Sequence, residues 1–201
     1  MTNLRYLFIL LFISCSSTKQ NQELYSISSK AKCKGPEREY HTTLHATIDG
    51  YFRFHQNYNE GSAGYDAVAF GDTLGFALVG DSISRVIDAA ELSVGKGHSF
   101  HLIAHQPNAV FNYRKGKYFD AIGNEVKFQF EPESSRVEGF QITNPFDSTE
   151  KIDIYYSQWE DIQGFTLPMH VQIIQGGKDE YFFEFYEVKV NDPAFSTIPI
   201  P

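Results

Sequence analysis

The sequence predicts a mainly β, α+β fold: a strongly curved antiparallel sheet, or open half-barrel, with one or two helices covering its concave side. Three observations predict it. Apolar and polar residues alternate at period two through much of the chain. These short runs are separated by turns containing Gly, Asn and Pro, the spacing of an antiparallel meander. Aromatic residues are 15% of the 201 residues, and Tyr181-Phe182-Phe183-Glu184-Phe185-Tyr186 carries rings on both parities. A strand with bulky groups on both sides is covered on both faces, or has one face lining a cavity.

The first segment gives an address. Arg5 precedes an unbroken apolar run, Leu7 to Ile13, and the small Ser14 stands before Cys15. This is the pattern of a secretory signal peptide over residues 1–14. Tyr6 to Ile13 spans 8 residues, against the roughly 20 that cross a bilayer core as a helix. Phe12-Ile13-Ser14-Cys15 resembles a bacterial lipobox, with Phe where Leu is usual. The resemblance implies cleavage before Cys15 and lipidation of its thiol by acyl chains such as palmitate. A plain signal peptide with an incidental Cys is the other reading. Residues 15–22 read as a polar tether, and residues 23–201 as a single β-rich globular domain. With Cys15 acylated, Cys33 is the remaining thiol. No Cys-x-x-Cys is present, so Cys33 reads as a buried structural residue.

The elements of that domain follow in order. Leu24, Ile27 and Ala31 recur at spacings of three and four, which predicts a short helix over Glu23 to Lys32, stopped by Lys34-Gly35-Pro36. Tyr40 to His55 alternates strictly and predicts a strand. Asp49-Gly50 either bends it or splits it into a hairpin. Asn57 to Gly64 is a loop. Tyr65 to Phe70 and Leu74 to Val79 pair as a hairpin across Gly71-Asp72-Thr73. Asp81-Ser82 is placed to cap a helix carrying Ile83, Val86, Ile87, Ala90 and Leu92, with Gly95 or Gly97 ending it. The rest reads as strands: Phe100 to His105, Val110 to Tyr113, Lys117 to Asp120, Glu125 to Phe130, Val137 to Thr143, Lys151 to Gln158, Thr166 to Ile174 and Glu180 to Val190. Asn191-Asp192-Pro193-Ala194-Phe195 then leaves the sheet to pack across it.

Two passages carry a family resemblance. Tyr155-Tyr156-Ser157-Gln158-Trp159-Glu160-Asp161-Ile162-Gln163-Gly164-Phe165-Thr166-Leu167-Pro168 reads as a strand, a turn around Gly, and an apolar-Pro step into the next strand. Phe185-Tyr186-Glu187-Val188-Lys189-Val190-Asn191-Asp192-Pro193 reads as the last strand. Both resemble the LolA/LolB-like lipoprotein-carrier superfamily, over about the last fifty residues. The resemblance implies an open, curved antiparallel sheet whose concave side holds lipoprotein acyl chains or other lipids. On that expectation the aromatic candidates for lining a ligand are Phe52, Phe54, Tyr181, Phe183 and Phe185.

The chemistry is otherwise sparse. A formal net charge of −8 and a pI near 5.3 argue against nucleic acid. No Gly-x-Ser-x-Gly elbow, phosphate loop or dinucleotide fingerprint is present. Glu131, Glu133, Glu138, Asp147 and Glu150 lie in polar turns and read as solvated. His41, His45 and His55 share a polar strand face with Arg53 and Asp49. The densest histidine group is His98, His101 and His105, which could bind zinc with water in an open fourth place. The sequence therefore leads to a membrane-anchored bacterial lipoprotein that holds a lipid or other apolar ligand. It would be a monomer facing the periplasm from the outer membrane. A metal-dependent envelope enzyme and a purely structural module are the alternatives.

Overall fold

The structure is a computed structural model and describes residues 23–58, 64–71, 73–80 and 82–192. The signal peptide, Cys15 and its tether, and the segment from Pro193 onward lie outside the described residues.

Among the described residues thirteen strands form one open antiparallel sheet. They are β1 (Ser26–Lys34), β2 (Glu39–Thr47), β3 (Tyr51–Asn57), β4 (Asp66–Phe70), β5 (Leu74–Val79), β6 (Ser82–Val86), β7 (Asn112–Arg114), β8 (Lys117–Phe119), β9 (Glu125–Phe130), β10 (Val137–Asn144), β11 (Asp147–Ile162), β12 (Phe165–Gln175) and β13 (Asp179–Val190). Their spatial order is β6-β5-β4-β3-β2-β1-β13-β12-β11-β10-β9-β8-β7. The chain thus starts mid-sheet, meanders to one edge, crosses to the other edge, and meanders back to pair β13 with β1. The crossing carries the helices α1 (Ala89–Gly97) and α2 (Phe100–His105), followed by a single 3-10 turn at Pro107–Ala109. Because this connection must traverse the sheet, its helices cover one face: α1 lies against β3, and α2 lies over β1, β10 and β12.

That face is concave. Phe54 on β3 and Ile142 on β10 line one cavity of about 350 Å³. Six strand-to-strand steps would hold them ~29 Å apart on a flat sheet, so the sheet must curl around the helices.

The inward parity predicted for residues 40–54 holds on β2 and β3, and is broken at the turn between them, where Ile48 is exposed. Tyr40, Thr42, Leu44, Ala46, Phe52 and Phe54 are buried, and Leu44 pairs with Phe54 across the β2–β3 hairpin. The hairpin turns at Gly50, whose φ of +94° favours glycine, and a Cβ there would meet the Gly71 backbone at 3.0 Å. Lys115-Gly116 and Gln163-Gly164 have positive φ at both residues and join β7 to β8 and β11 to β12 as two-residue turns. On β10 a Cβ at Gly139 would stand 2.3 Å from the Ile154 carbonyl oxygen, so only glycine admits β11 at this register.

Three predicted elements are corrected. Residues 26–34 form β1 and not a helix: Ile27, Ser29, Ala31 and Cys33 alternate inward, and the lysines between them point out. The helical spacing of Leu24, Ile27 and Ala31 was coincidental, and Ser29 at an inward position hid the alternation. Residues 82–86 form the exposed edge strand β6, and the helix begins at Ala89, capped by Asp88, whose carboxylate accepts from the Glu91 N–H at 2.8 Å. Residues 100–105 form α2, with Phe100 to Ala104 all buried. A short apolar run buried all round has the same signature as a core strand.

Cys33 is a free buried thiol beside the Thr42 hydroxyl (3.4 Å), and burial pushes its pKa up to about 12. It is a core residue without thiolate character. On the outer face Asp66 accepts from Arg53 at 2.8 Å and lies 3.2 Å from the His55 ring.

Candidate ligand-binding cavity

The concave face is filled at one end and open at the other. Toward β7–β11 the rings of Phe111, Phe128 and Phe140 pack edge-on or tilted at 5.5–5.9 Å, and close that half. Beneath α2, Phe100 stands edge-on to Phe183 at 5.0 Å, and the His101 ring lies 4.3 Å from Phe185.

Between these rings and α1 lies the cavity of about 350 Å³. Its walls are Phe54, Val94, Phe100, Ile142, Ile152, Ile154, Ile173 and Phe183, from both halves of the sheet and from the crossing connection. Its rim carries Tyr40, Gln56, Tyr65, Glu91, Gln175 and Tyr181. Phe146, in the β10–β11 turn, also lines it and is 64% exposed, which marks the mouth. The Asn144 side chain holds that turn by accepting from the Phe146 N–H at 3.0 Å.

Two glycines help to make the space. Gly95 and Gly97, on the last turns of α1, both line the cavity. A Cβ on Gly97 would meet nothing nearer than Ile142 Cδ1 at 3.9 Å. Glycine lowers helix stability by up to about 1 kcal/mol relative to alanine, and here it leaves the cavity open. Sequence reading assigned both glycines only to ending the helix.

The rim is built from hydrogen-bonded polar groups. Arg85 donates two bonds to Glu91, at 2.5 and 2.6 Å, and Tyr65 donates to the same carboxylate at 3.4 Å, tying α1 to β6 and the β3–β4 connection. Arg85 holds the Glu91 carboxyl below its usual range, while burial and the Glu91 charge push the Tyr65 phenol up to about 12. Glu150, expected to be merely solvated, accepts from Gln175 at 2.9 Å and from Asn144.

Of the five rings named from sequence, Phe54, Tyr181 and Phe183 face this cavity. Phe52 instead packs under Gly95, whose Cβ position is 3.1 Å from it. Phe185 lies beneath α2, stacked on Phe183. The isoleucines of β10–β12 were missed because an inward apolar residue reads the same whether it meets a neighbour or a void.

The three histidines do not converge. His98 donates from Nδ1 to the Val94 carbonyl at 2.8 Å and lies 5.0 Å from Phe54. His101 bonds the Pro168 carbonyl, and its Nε2 has no hydrogen-bond partner among the described residues. His105 stands edge-on to Phe165 at 5.3 Å. Burial lowers the pKa of all three, that of His101 to about 4. Among the described residues no three His, Cys, Asp or Glu side chains are grouped to hold a metal. Strand or helix, the spacing puts His101 and His105 on one side; on α2 they are one turn apart, but each ring packs on its own aromatic neighbour, His101 on Phe185 and His105 on Phe165.

No protein-family model matches the chain, and no curated protein matches it in sequence. Solved structures do match. A LolA superfamily protein from Nitrosomonas europaea superposes with a TM-score of 0.52 at 9% identity, covering 86% of this chain and 88% of that one. A DUF1329 family protein from Desulfovibrio piger superposes with a TM-score of 0.54 at 8% identity and the same coverage. The chain has a LolA-like fold over most of its length, beyond the C-terminal passages where the sequence resemblance lies. Among the described residues no helix is long and apolar enough to cross a membrane.

Proposed function

We propose that this protein binds a single acyl chain, or an apolar ligand of that shape, between its curled sheet and α1, and does so tethered to the bacterial envelope through lipidated Cys15. One observation carries the binding reading: an apolar-walled cavity of about 350 Å³ that opens past an exposed phenylalanine. Taking a methylene as about the size of a water molecule, ~30 Å³, it has room for roughly a dozen carbons. Its walls are apolar, so a chain that enters gains about 0.8 kcal/mol per buried methylene. The tether reading rests on the lipobox resemblance, and placement at the outer membrane goes with it.

Native purification followed by lipid extraction, together with titration by fluorescent acyl probes, tests the binding. The expected result is saturable one-to-one binding. Absence of both co-purifying lipid and probe binding overturns it. Mass spectrometry of the membrane fraction tests the tether separately: the expected mature N-terminus is an acylated Cys15.

A further inference from the structure

A second, polar chamber of about 260 Å³ adjoins the apolar cavity. The two share Tyr40, Gln56 and Tyr181, so the chamber is a vestibule to the same space. It lies where the β1–β2 loop meets the β12–β13 turn, because β1 and β13 are neighbours in the sheet. Its charged residues are Glu37 and Arg38 from that loop and Asp179 from the start of β13. The Tyr40 and Tyr58 rings meet at 6.1 Å and 67°, and Tyr181 completes the wall. Gly35 seats the Tyr181 ring: a Cβ there would approach it to 3.3 Å.

These three charges are not spent on one another. Nearby surface charges pair, Lys32 with Glu39 at 3.3 Å and Lys30 with Glu187 at 3.0 Å. Among the described residues no salt bridge engages Glu37, Arg38 or Asp179. The Arg38 guanidinium lies 4.6 Å from the centre of the Tyr58 ring, with its N–H groups available to an anion. Burial raises the Tyr181 phenol, and the charges of Asp179, Glu37 and Glu150 raise it further, so the carboxylates are felt at the entrance to the cavity.

We propose that this vestibule receives a zwitterionic phosphate–ammonium head group whose single chain occupies the apolar cavity. The inference rests on the acyl-chain reading above. The phosphate is met by Arg38. The ammonium is met by Glu37, Asp179 and the tyrosine faces, which attract cations through their ring quadrupoles. An anionic head would face two carboxylates with one guanidinium. A neutral head would leave all three charges without a counterpart.

The test compares three amphipaths with one dodecyl tail, dodecylphosphocholine, dodecyl phosphate and dodecyl maltoside. Each is titrated calorimetrically into the purified full chain below its micelle concentration. Dodecylphosphocholine is expected to bind about fivefold tighter than either other, the size of effect that a few exposed charges give. The double variant Glu37→Gln, Asp179→Asn is expected to remove most of that margin and to leave maltoside binding unchanged. Arg38→Gln is expected to weaken phosphocholine and phosphate but not maltoside. Equal affinity for all three overturns the head-group inference and leaves acyl-chain binding standing, as does tighter binding of dodecyl phosphate. Binding of none overturns both. The substituted residues are surface groups outside the core, and an unchanged thermal midpoint verifies the fold of each variant.

Discussion

Replacing Gly97 with leucine should shorten the chain that the cavity accepts. Gly97 lacks the left-handed backbone that would strain a side chain, and its Cβ position opens toward Ile142 Cδ1 at 3.9 Å. The four added carbons occupy ~120 Å³ at ~30 Å³ each, about a third of the 350 Å³ available. The longest fully buried chain should fall from roughly twelve carbons to roughly eight. Four methylenes at about 0.8 kcal/mol each amount to about 3 kcal/mol, or about 200-fold in Kd, for a dodecyl chain. Octyl chains should bind as before. Gly97→Ala adds one carbon, with an expected loss of about fourfold. The assay is displacement of a fluorescent acyl probe by fatty acids of increasing length, with thermal melts to confirm folding. Loss of glycine from the helix should leave the melting point unchanged or slightly raised. A folded Gly97→Leu protein with an unshifted length optimum would refute the location of the site.

Two further predictions concern stability. Asn191 has φ +54° and clasps the start of β1: it accepts from the Tyr25 N–H at 2.7 Å and the Ser26 N–H at 3.2 Å, and donates to the Glu23 carbonyl at 2.8 Å. Asn191→Ala should cost about 2 kcal/mol in urea unfolding, with hydrogen-exchange protection lost first around Tyr25 and Ser26; unchanged protection there would count against the clasp. His101 is buried with its pKa lowered to about 4, whereas an unfolded histidine titrates near 6.5. The unfolded chain therefore takes up the proton first. His101's contribution is whole above pH 6.5 and falls by about 3 kcal/mol as pH drops toward 4. In a pH series of unfolding curves His101→Gln should flatten that acid limb, and an equally steep limb would show that another group drives it.

Strands with one wet face were legible in the sequence. β2 and β3 alternate cleanly, and Gln163-Gly164 between two alternating runs could only be a hairpin. Legibility failed where burial stopped alternating, and at β1, where the polar Ser29 holds an inward position and Leu24, Ile27 and Ala31 fall at helical spacing. Phe100 to Ala104 of α2 are buried in succession because they sit inside a curl, so Phe-His-Leu-Ile-Ala carried no one-sided apolar stripe. β6 is exposed along its whole length, so Ile83 and Val86 gave no inward parity to read. The aromatic excess pointed correctly to a curled sheet. Which rings face a void depended on where the crossing connection lies. Phe52 and Phe54 share a parity, yet one meets α1 at Gly95 and the other meets open space. The polar vestibule was out of reach for a related reason: Glu37 and Arg38 are far from Asp179 in the chain and meet it only because β13 pairs with β1.

The position of β1 has a mechanical consequence. It lies between β2 and β13, in the interior of the thirteen-stranded sheet, and the chain reaches it through Glu23 and Leu24. A tension applied through the N-terminus and directed along β1 loads its ladders on both sides lengthwise. Antiparallel hydrogen bonds run across the strand direction, so these rungs resist in shear and share the force, with the Asn191 clasp taking the first of it. Had the chain entered at β6, the same tension could have peeled the sheet one rung at a time. Under the tether proposed above, a pull on the N-terminus would be borne by these rungs and not by the walls of the cavity.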